Sequence, residues 1–249
     1  MLVQAHRGFS GRYPENTLLA FQKAVEAGAD LIEFDIHLSQ DEEVFVIHDQ
    51  EVDRTTDGNG KVEELKSSEL KSLDAGSWFD DKFAGEEIPT LVETLKLLQG
   101  QAVASIEIKT EASGSSNWRS TLKKASEVID DLNMWDEVIF ISFDLHALLA
   151  VTNIKQEAYT ALIDYRPGEK IHLMEVLLTA WVDGWFAPHN ILTPRLVDEA
   201  HRRGLEIISS GGKELENFEE EINKLLQLGV DGVSTNYPDY ARDLIWECN

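Results

Sequence analysis

Cysteine occurs once in the 249 residues, as Cys248, so no disulfide forms within the chain and no cysteine-rich zinc site is available. A reducing compartment fits that usage. The chain has no apolar run of the roughly 18 residues needed to span a bilayer. Its opening residues, Met1-Leu2-Val3-Gln4-Ala5-His6, contain no basic segment leading into an apolar stretch and a cleavage site. The expected location is therefore the cytoplasm, with no membrane anchor. Positive charge is scarce: 22 Lys and Arg face 46 Asp and Glu, for a net charge of −24. Such a surface repels phosphate backbones and anionic lipid, which argues against a nucleic-acid partner. Most of these carboxylates, including the run from Glu214 to Glu221, read as solvated faces that promote solubility. Internal repeats, low-complexity segments and interdomain linkers are also missing, so a single domain over 1–249 is expected.

What the chain does contain is an alternation of short Val- and Ile-rich runs with longer amphipathic stretches, the βαβ signature of a parallel sheet. Strands are expected near Leu2–Ala5, Leu31–Ile36, Ala102–Ile108, Val138–Ile141, Ala158–Ile163, Gly184–Ala187, Leu205–Ser209 and Gly232–Ser234. Between them, Thr17–Ala27 carries Leu18, Phe21, Ala24 and Val25 on one face and stops at Gly28. Thr193-Pro194 reads as a cap followed by proline in the first turn, and Gly204 ends that helix behind Arg202 and Arg203. Eight such units make a closed (β/α)8 barrel, a TIM barrel; the alternative is an open doubly wound sheet with a similar pattern. One region departs from the rhythm. About 50 residues separate the second strand from the helix near Thr90, far more than an ordinary strand-to-helix loop. This insertion, centred on residues 50–89, follows a short Val44–His48 strand and contains the turn Asp57-Gly58-Asn59-Gly60 and the aromatics Trp78, Phe79 and Phe83. On the strand-to-helix side of a barrel it lies over the catalytic face.

The second strand places Glu33 and Asp35 two residues apart, hence on one face, between Ile32, Phe34 and Ile36. In the next long strand Glu107 and Lys109 repeat the arrangement between Ile106 and Ile108. Buried carboxylates without a counter-charge are costly. Three from adjacent strand ends make an oxygen-rich site for one hard divalent cation, Mg²⁺ or Ca²⁺. Lys109 suits either a substrate phosphate or a buried ion pair with those acids. His6 ends the first strand and His48 the short one, and histidine titrates near neutrality as general acid or base. Arg7 offers a forked donor for phosphate oxygens. The other histidines, His37, His146, His172, His189 and His201, read as packed or surface residues.

In order and spacing, His6-Arg7-Gly8, Pro14-Glu15-Asn16-Thr17, Glu33-x-Asp35, His48-Asp49 and Asp53-Arg54-Thr55-Thr56 resemble the glycerophosphodiester phosphodiesterase family. The resemblance continues through Gly58, Gly60, Gly76, Ile88-Pro89-Thr90-Leu91 and Glu107-x-Lys109. It thins in the middle and returns in Asp231-Gly232-Val233-Ser234-Thr235-Asn236-Tyr237-Pro238-Asp239. It implies a TIM barrel, a divalent cation and hydrolysis of a small glycerophosphodiester to glycerol 3-phosphate and an alcohol. Carried over by position, Glu33, Asp35 and Glu107 hold the metal, His6 and His48 are the acid–base pair, and Arg7 and Lys109 hold the phosphate. Glu15 and Asn16 order the loop after the first strand. A cyclic phosphate opened by water and direct attack by water both suit these residues. Two departures stand out. Ile207-Ile208-Ser209-Ser210-Gly211-Gly212 replaces a run that often carries an aromatic, and Asn236 stands where aspartate is common, as a helix-capping difference. Trp181, Trp185 and Phe186 read as core packing more than as walls of the mouth. A related activity on lysophospholipids and a non-catalytic phosphodiester-binding barrel are the competing expectations.

Overall fold

In a computed structural model describing residues 1–111, 115–163, 181–210 and 217–247, the Val- and Ile-rich runs form strands within a residue or two of their expected bounds. They are β1 (Leu2–Ala5), β2 (Leu31–Leu38), β4 (Val103–Ile108), β5 (Val138–Ser142), β6 (Tyr159–Ile163), β7 (Gly184–Pro188), β8 (Glu206–Ser210) and β9 (Gly232–Thr235). All eight pair in parallel, and β1 pairs with both β2 and β9, which closes the barrel and rules out an open sheet. A short β3 (Val44–Val46) runs antiparallel on the far end of β2. The helices are α1 (Leu18–Glu26), α2 (Ser67–Leu70), α3 (Leu91–Leu98), α4 (Trp118–Leu132), α5 (Leu145–Ile154), α6 (Pro194–Arg202), α7 (Phe218–Leu228) and α8 (Pro238–Glu247).

The caps follow the local chemistry. Thr17 accepts from Ala20 N at the start of α1, and Gly28 takes a left-handed φ of 79° beyond its end. Thr90 and Glu93 form a reciprocal capping box on α3, and Thr193 with Pro194 opens α6. At the opposite end of the barrel a second device recurs. Asp30, Asp183 and Asp231 each precede a strand, donate their own N–H to a carbonyl of the neighbouring strand (Val3, Thr160 and Ile207) and accept that residue's N–H on Oδ2 at 2.7–2.9 Å. Each pair extends the ladder by a side chain and satisfies backbone groups that would otherwise lack partners.

The barrel interior is divided. Leu31, Ile139, Ile141, Ala161, Phe186 and Ile208 form its apolar core. The seam of β9, β1, β2 and β4 is polar, with buried Gln4, Glu33, Asp35, Ser105, Glu107 and Ser234. Chemistry is thus confined to one side of the mouth. The insertion has its own small core of Phe45, Ile47, Val52, Val62, Leu70, Ala75 and Ile88. It meets the loop after β1 through a chain of rings: Phe9 to Tyr13 (5.5 Å), Tyr13 to Phe83 (5.7 Å) and Phe83 to Phe79 (5.8 Å). That contact brings the segment carrying His48 beside the loop carrying Arg7. The run from Glu214 to Glu221 lies partly, and His172 wholly, outside the described residues.

Candidate active site

The parallel register of β2 and β4 sets Asp35 directly opposite Glu107 and Glu33 opposite Ser105. All three carboxylates are buried, with relative exposures of 3 % for Glu33, 0 % for Asp35 and 7 % for Glu107. One oxygen from each lies within 4.8 Å of the other two, as a single cation bridging them requires. Their electrostatics show the strain of that convergence. Burial, then repulsion from Asp35 and Glu107, pushes the Glu33 carboxyl up to about 8. Burial and then Asp35 push Glu107 to about 7. Burial also opposes ionisation of Asp35, but Lys109, His48 and Arg7 outweigh it and hold that group well below the usual carboxylate range.

Lys109 lies among the acids, its Nζ 2.6 Å from Glu107 Oε1 and 2.8 Å from Asp35 Oδ1. Burial disfavours its charge, yet Asp35 and Glu107 keep it protonated well above neutrality. The sequence left open a phosphate contact or an ion pair; the geometry contains the ion pair. The contact to Asp35 Oδ1 lacks hydrogen-bond alignment, so that oxygen has no hydrogen-bond partner among the described residues, and neither does the buried Asn16 Oδ1. One ammonium thus faces three converging carboxylates, with unengaged oxygen among them. The set fits a divalent cation by donor type, spacing and charge.

The loop after β1 turns sharply at Arg7 (φ 55°) and Gly8 (φ 77°). A side chain at Gly8 would lie 2.9 Å from Ala20 and Phe21 of α1, so only glycine lets the loop pack there. The turn points Arg7 N at Glu33 Oε2 (2.8 Å) and places the guanidinium 2.9 Å from Glu15 Oε1 and 3.7 Å from Asp35 Oδ2. Arg7 Nε is buried and has no hydrogen-bond partner among the described residues. Asn16 donates from Nδ2 to Asp35 Oδ2 at 3.0 Å and from its backbone to Arg7 O at 3.1 Å. It therefore both holds the loop and touches the acid cluster.

His6 lines the mouth with Gln4, Glu33 and Glu107, facing an apolar wall of Ile141, Phe143, Ile163 and Phe186. Its Nδ1 lies 2.8 Å from Asn236 Oδ1, at the end of β9. His48 lies near enough to Asp35, Lys109 and Arg7 for their charges to act on it, and burial lowers its affinity for a proton. Its Nδ1 is 2.6 Å from Asp49 Oδ1. Asp49 Oδ2 in turn accepts from Arg54 Nε at 2.5 Å, and Arg54 reaches Glu15 Oε1 at 2.7 Å. His48, Asp49, Arg54, Glu15 and Arg7 thus form a continuous polar chain from the insertion to the first loop.

Geometry and family resemblance now point the same way. The chain matches the model of the glycerophosphoryl diester phosphodiesterase family over residues 6–240. The chain belongs to that family. A glycerophosphodiester phosphodiesterase of Caldanaerobacter subterraneus subsp. tengcongensis is 36% identical over 247 residues, covering 98% of this chain and 97% of the relative. Among solved structures, the Oleispira antarctica phosphodiesterase in complex with the product sn-glycerol-3-phosphate superimposes with a TM-score of 0.86 at 27% identity, covering 98% of this chain and 96% of the other. The glycerophosphodiester phosphodiesterase of Agrobacterium tumefaciens str. C58 gives 0.84 at 28% identity, covering 97% and 99%. The activity class is accordingly phosphoric diester hydrolysis, and the TIM barrel is the family's fold.

Several side chains at this candidate site carried no catalytic or binding role in the sequence. Asn236, expected as a helix cap, faces His6. His37 lies on the same face of β2 as Glu33 and Asp35; its Nε2 is 3.2 Å from His48 O, and burial lowers its affinity for a proton. A neutral His37 ring donating to that carbonyl anchors the backbone of His48. The spacing Glu33-x-Asp35-x-His37 was the available signal. Phe186 lines the mouth whereas Trp185 is fully buried behind it and Trp181 is exposed. His189 faces Ser210 O at 3.1 Å.

Proposed function

We propose that this chain hydrolyses small glycerophosphodiesters to glycerol 3-phosphate and an alcohol, with Glu33, Asp35 and Glu107 holding one divalent cation, Mg²⁺ or Ca²⁺, and His6 and His48 moving the protons. The observation that carries this reading is the convergence of three buried carboxylates on one point, one ammonium among them. When bound, the cation supplies positive charge to the phosphoryl oxygens as negative charge builds on them.

The chain's own residues supply the rest. Arg7 Nε is a donor available to a phosphate oxygen beside the acid cluster. Lys109 donates to Glu107 Oε1 and pairs by charge with Asp35, which leaves N–H capacity for the same phosphate. One imidazole takes the proton of the attacking oxygen, either water or a neighbouring glycerol hydroxyl, and the other gives a proton to the departing alkoxide; a cyclic phosphate formed by the glycerol hydroxyl is then opened by water. Asn16 and Glu15 hold Arg7 and Asp35 in register. The apolar wall across the mouth suits the carbon skeleton of the substrate and excludes water from that side.

No helix among the described residues is long and apolar enough to cross a membrane, which is compatible with a water-soluble substrate. The direct test is enzymatic quantification of glycerol 3-phosphate released from glycerophosphocholine and glycerophosphoethanolamine. Release from either supports the proposal. Choline and lysophosphatidic acid formed from lysophosphatidylcholine, with no glycerol 3-phosphate from either diester, moves the substrate class to lysophospholipids, and no product from any of the three favours a binding barrel.

A further inference from the structure

We propose that Asn236 is a positioning residue for His6: its amide oxygen holds the proton of the imidazole on Nδ1, so that Nε2 is the nitrogen turned to the substrate. The proposal rests on the acid–base role given to His6 above.

An amide oxygen only accepts hydrogen bonds. Asn236 Oδ1 lies 2.8 Å from His6 Nδ1, so the pair is bonded only when Nδ1 carries a proton. A neutral imidazole has one N–H, and placing it on Nδ1 leaves the lone pair on Nε2. The holder is itself fixed. Asn236 O accepts from Gly11 N at 2.9 Å, and the preceding residue, Thr235, accepts the backbone N–H of His6 at 2.9 Å. Ser10 Oγ stands 3.1 Å from Asn236 Oδ1 and 2.7 Å from His6 O. A side chain at Gly11 would come within 2.4 Å of the Tyr237 ring, so the first loop presses directly on the chain that carries Asn236. These contacts cross the β1–β9 seam and join the two ends of the sequence around one imidazole.

The partner's neutrality has a physical reason. His48 is oriented by a carboxylate, Asp49, whose charge Arg54 offsets. His6 lines the mouth with Glu33 and Glu107, where carboxylates already repel one another. An amide gives the same acceptor geometry as a carboxylate without a further negative charge there.

The test begins with the unmodified protein. The ring-nitrogen NMR signals of His6, assigned by their loss in His6→Gln, should show the Nδ1–H tautomer at a pH where the ring is neutral. Asn236→Leu removes the acceptor at similar volume. It should lower kcat about 10–100-fold, with KM and Mg²⁺ affinity unchanged and the Nδ1–H population reduced. Asn236→Asp restores an acceptor and should recover kcat to within several-fold of the unmodified enzyme. An Nε2–H tautomer in the unmodified protein overturns the proposal, as does full kcat in Asn236→Leu. A fall in kcat with the Nδ1–H population intact overturns it too, since it assigns Asn236 to loop packing. If Asn236→Leu does not fold, the unmodified spectrum and Asn236→Asp decide. An active His6→Gln enzyme refutes the catalytic role of His6 itself, a result separable from all of these.

Discussion

Replacing Glu33 by glutamine should stabilise the metal-free protein at alkaline pH while weakening its hold on a divalent cation. The Glu33 carboxyl, pushed from 4.5 to about 8, binds a proton in the fold over a pH range where the unfolded chain has released it. Its folded value is raised, so its contribution is fully present below about 4.5 and is lost as pH rises through about 8. Each unit is worth about 1.4 kcal/mol, so ionising Glu33 costs the metal-free fold at most about 5 kcal/mol. Glu107 shares the repulsion and relaxes part of it, which leaves roughly 2–4 kcal/mol as the expected difference between the proteins at pH 9. For a chain of this length that is a Tm difference of about 5–10 °C. Glutamine keeps an oxygen to accept the Arg7 N–H, so the loop contact survives. Thermal unfolding in EDTA from pH 5 to 9 reads the effect. From about pH 5 upward Glu33→Gln should gain steadily on the unmodified protein, and the difference should level off above about pH 8. Millimolar Mg²⁺ or Ca²⁺ should raise the Tm of the unmodified protein at pH 9 and that of Glu33→Gln far less. Parallel Tm curves across the whole range would refute the argument that these carboxylates are in unrelieved conflict.

The remaining expectations concern turnover. His6→Ala and His48→Ala should each keep the native Tm within a few degrees and lose about 10²–10⁴-fold in kcat, the range for one general acid or base; near-native turnover in either folded variant removes that histidine from the mechanism. Arg54→Met breaks the chain from Glu15 to Asp49, so kcat should fall about 10-fold through misplacement of His48 while Mg²⁺ affinity measured by calorimetry stays unchanged. A fall in metal affinity instead would place Arg54 with the acid cluster.

Period-two spacing makes much of this site readable from the sequence alone. Glu33-x-Asp35 and Glu107-x-Lys109 lie on strands with apolar residues on the other face, and that alternation assigns the inward side without tertiary knowledge. The strands were legible because both faces of a parallel barrel strand are buried and select Val and Ile. Closure is expected from the eight units and from the family resemblance, while the strand pattern by itself also suits an open sheet, because the pairing of β1 with both β2 and β9 joins distant parts of the chain. Asn236 was missed for the same reason: next to Tyr237-Pro238 it looks like a cap, and only the seam brings it to His6. The roles of Asp49 and Arg54 depend on the fold of the insertion, whose small core and turns carry no simple period. His37 shared the face of Glu33 and Asp35 and could have been found from spacing alone.

The most direct measurement is glycerol 3-phosphate release from glycerophosphocholine after exhaustive chelation, followed by Mg²⁺ or Ca²⁺ added back to the unmodified enzyme and to Glu107→Ala. Chelation should abolish release, one of the two cations should restore it in the unmodified enzyme, and Glu107→Ala should need far more cation or stay inactive. Undiminished release in the presence of chelator, or equal restoration in Glu107→Ala, would contradict a cation held by Glu33, Asp35 and Glu107.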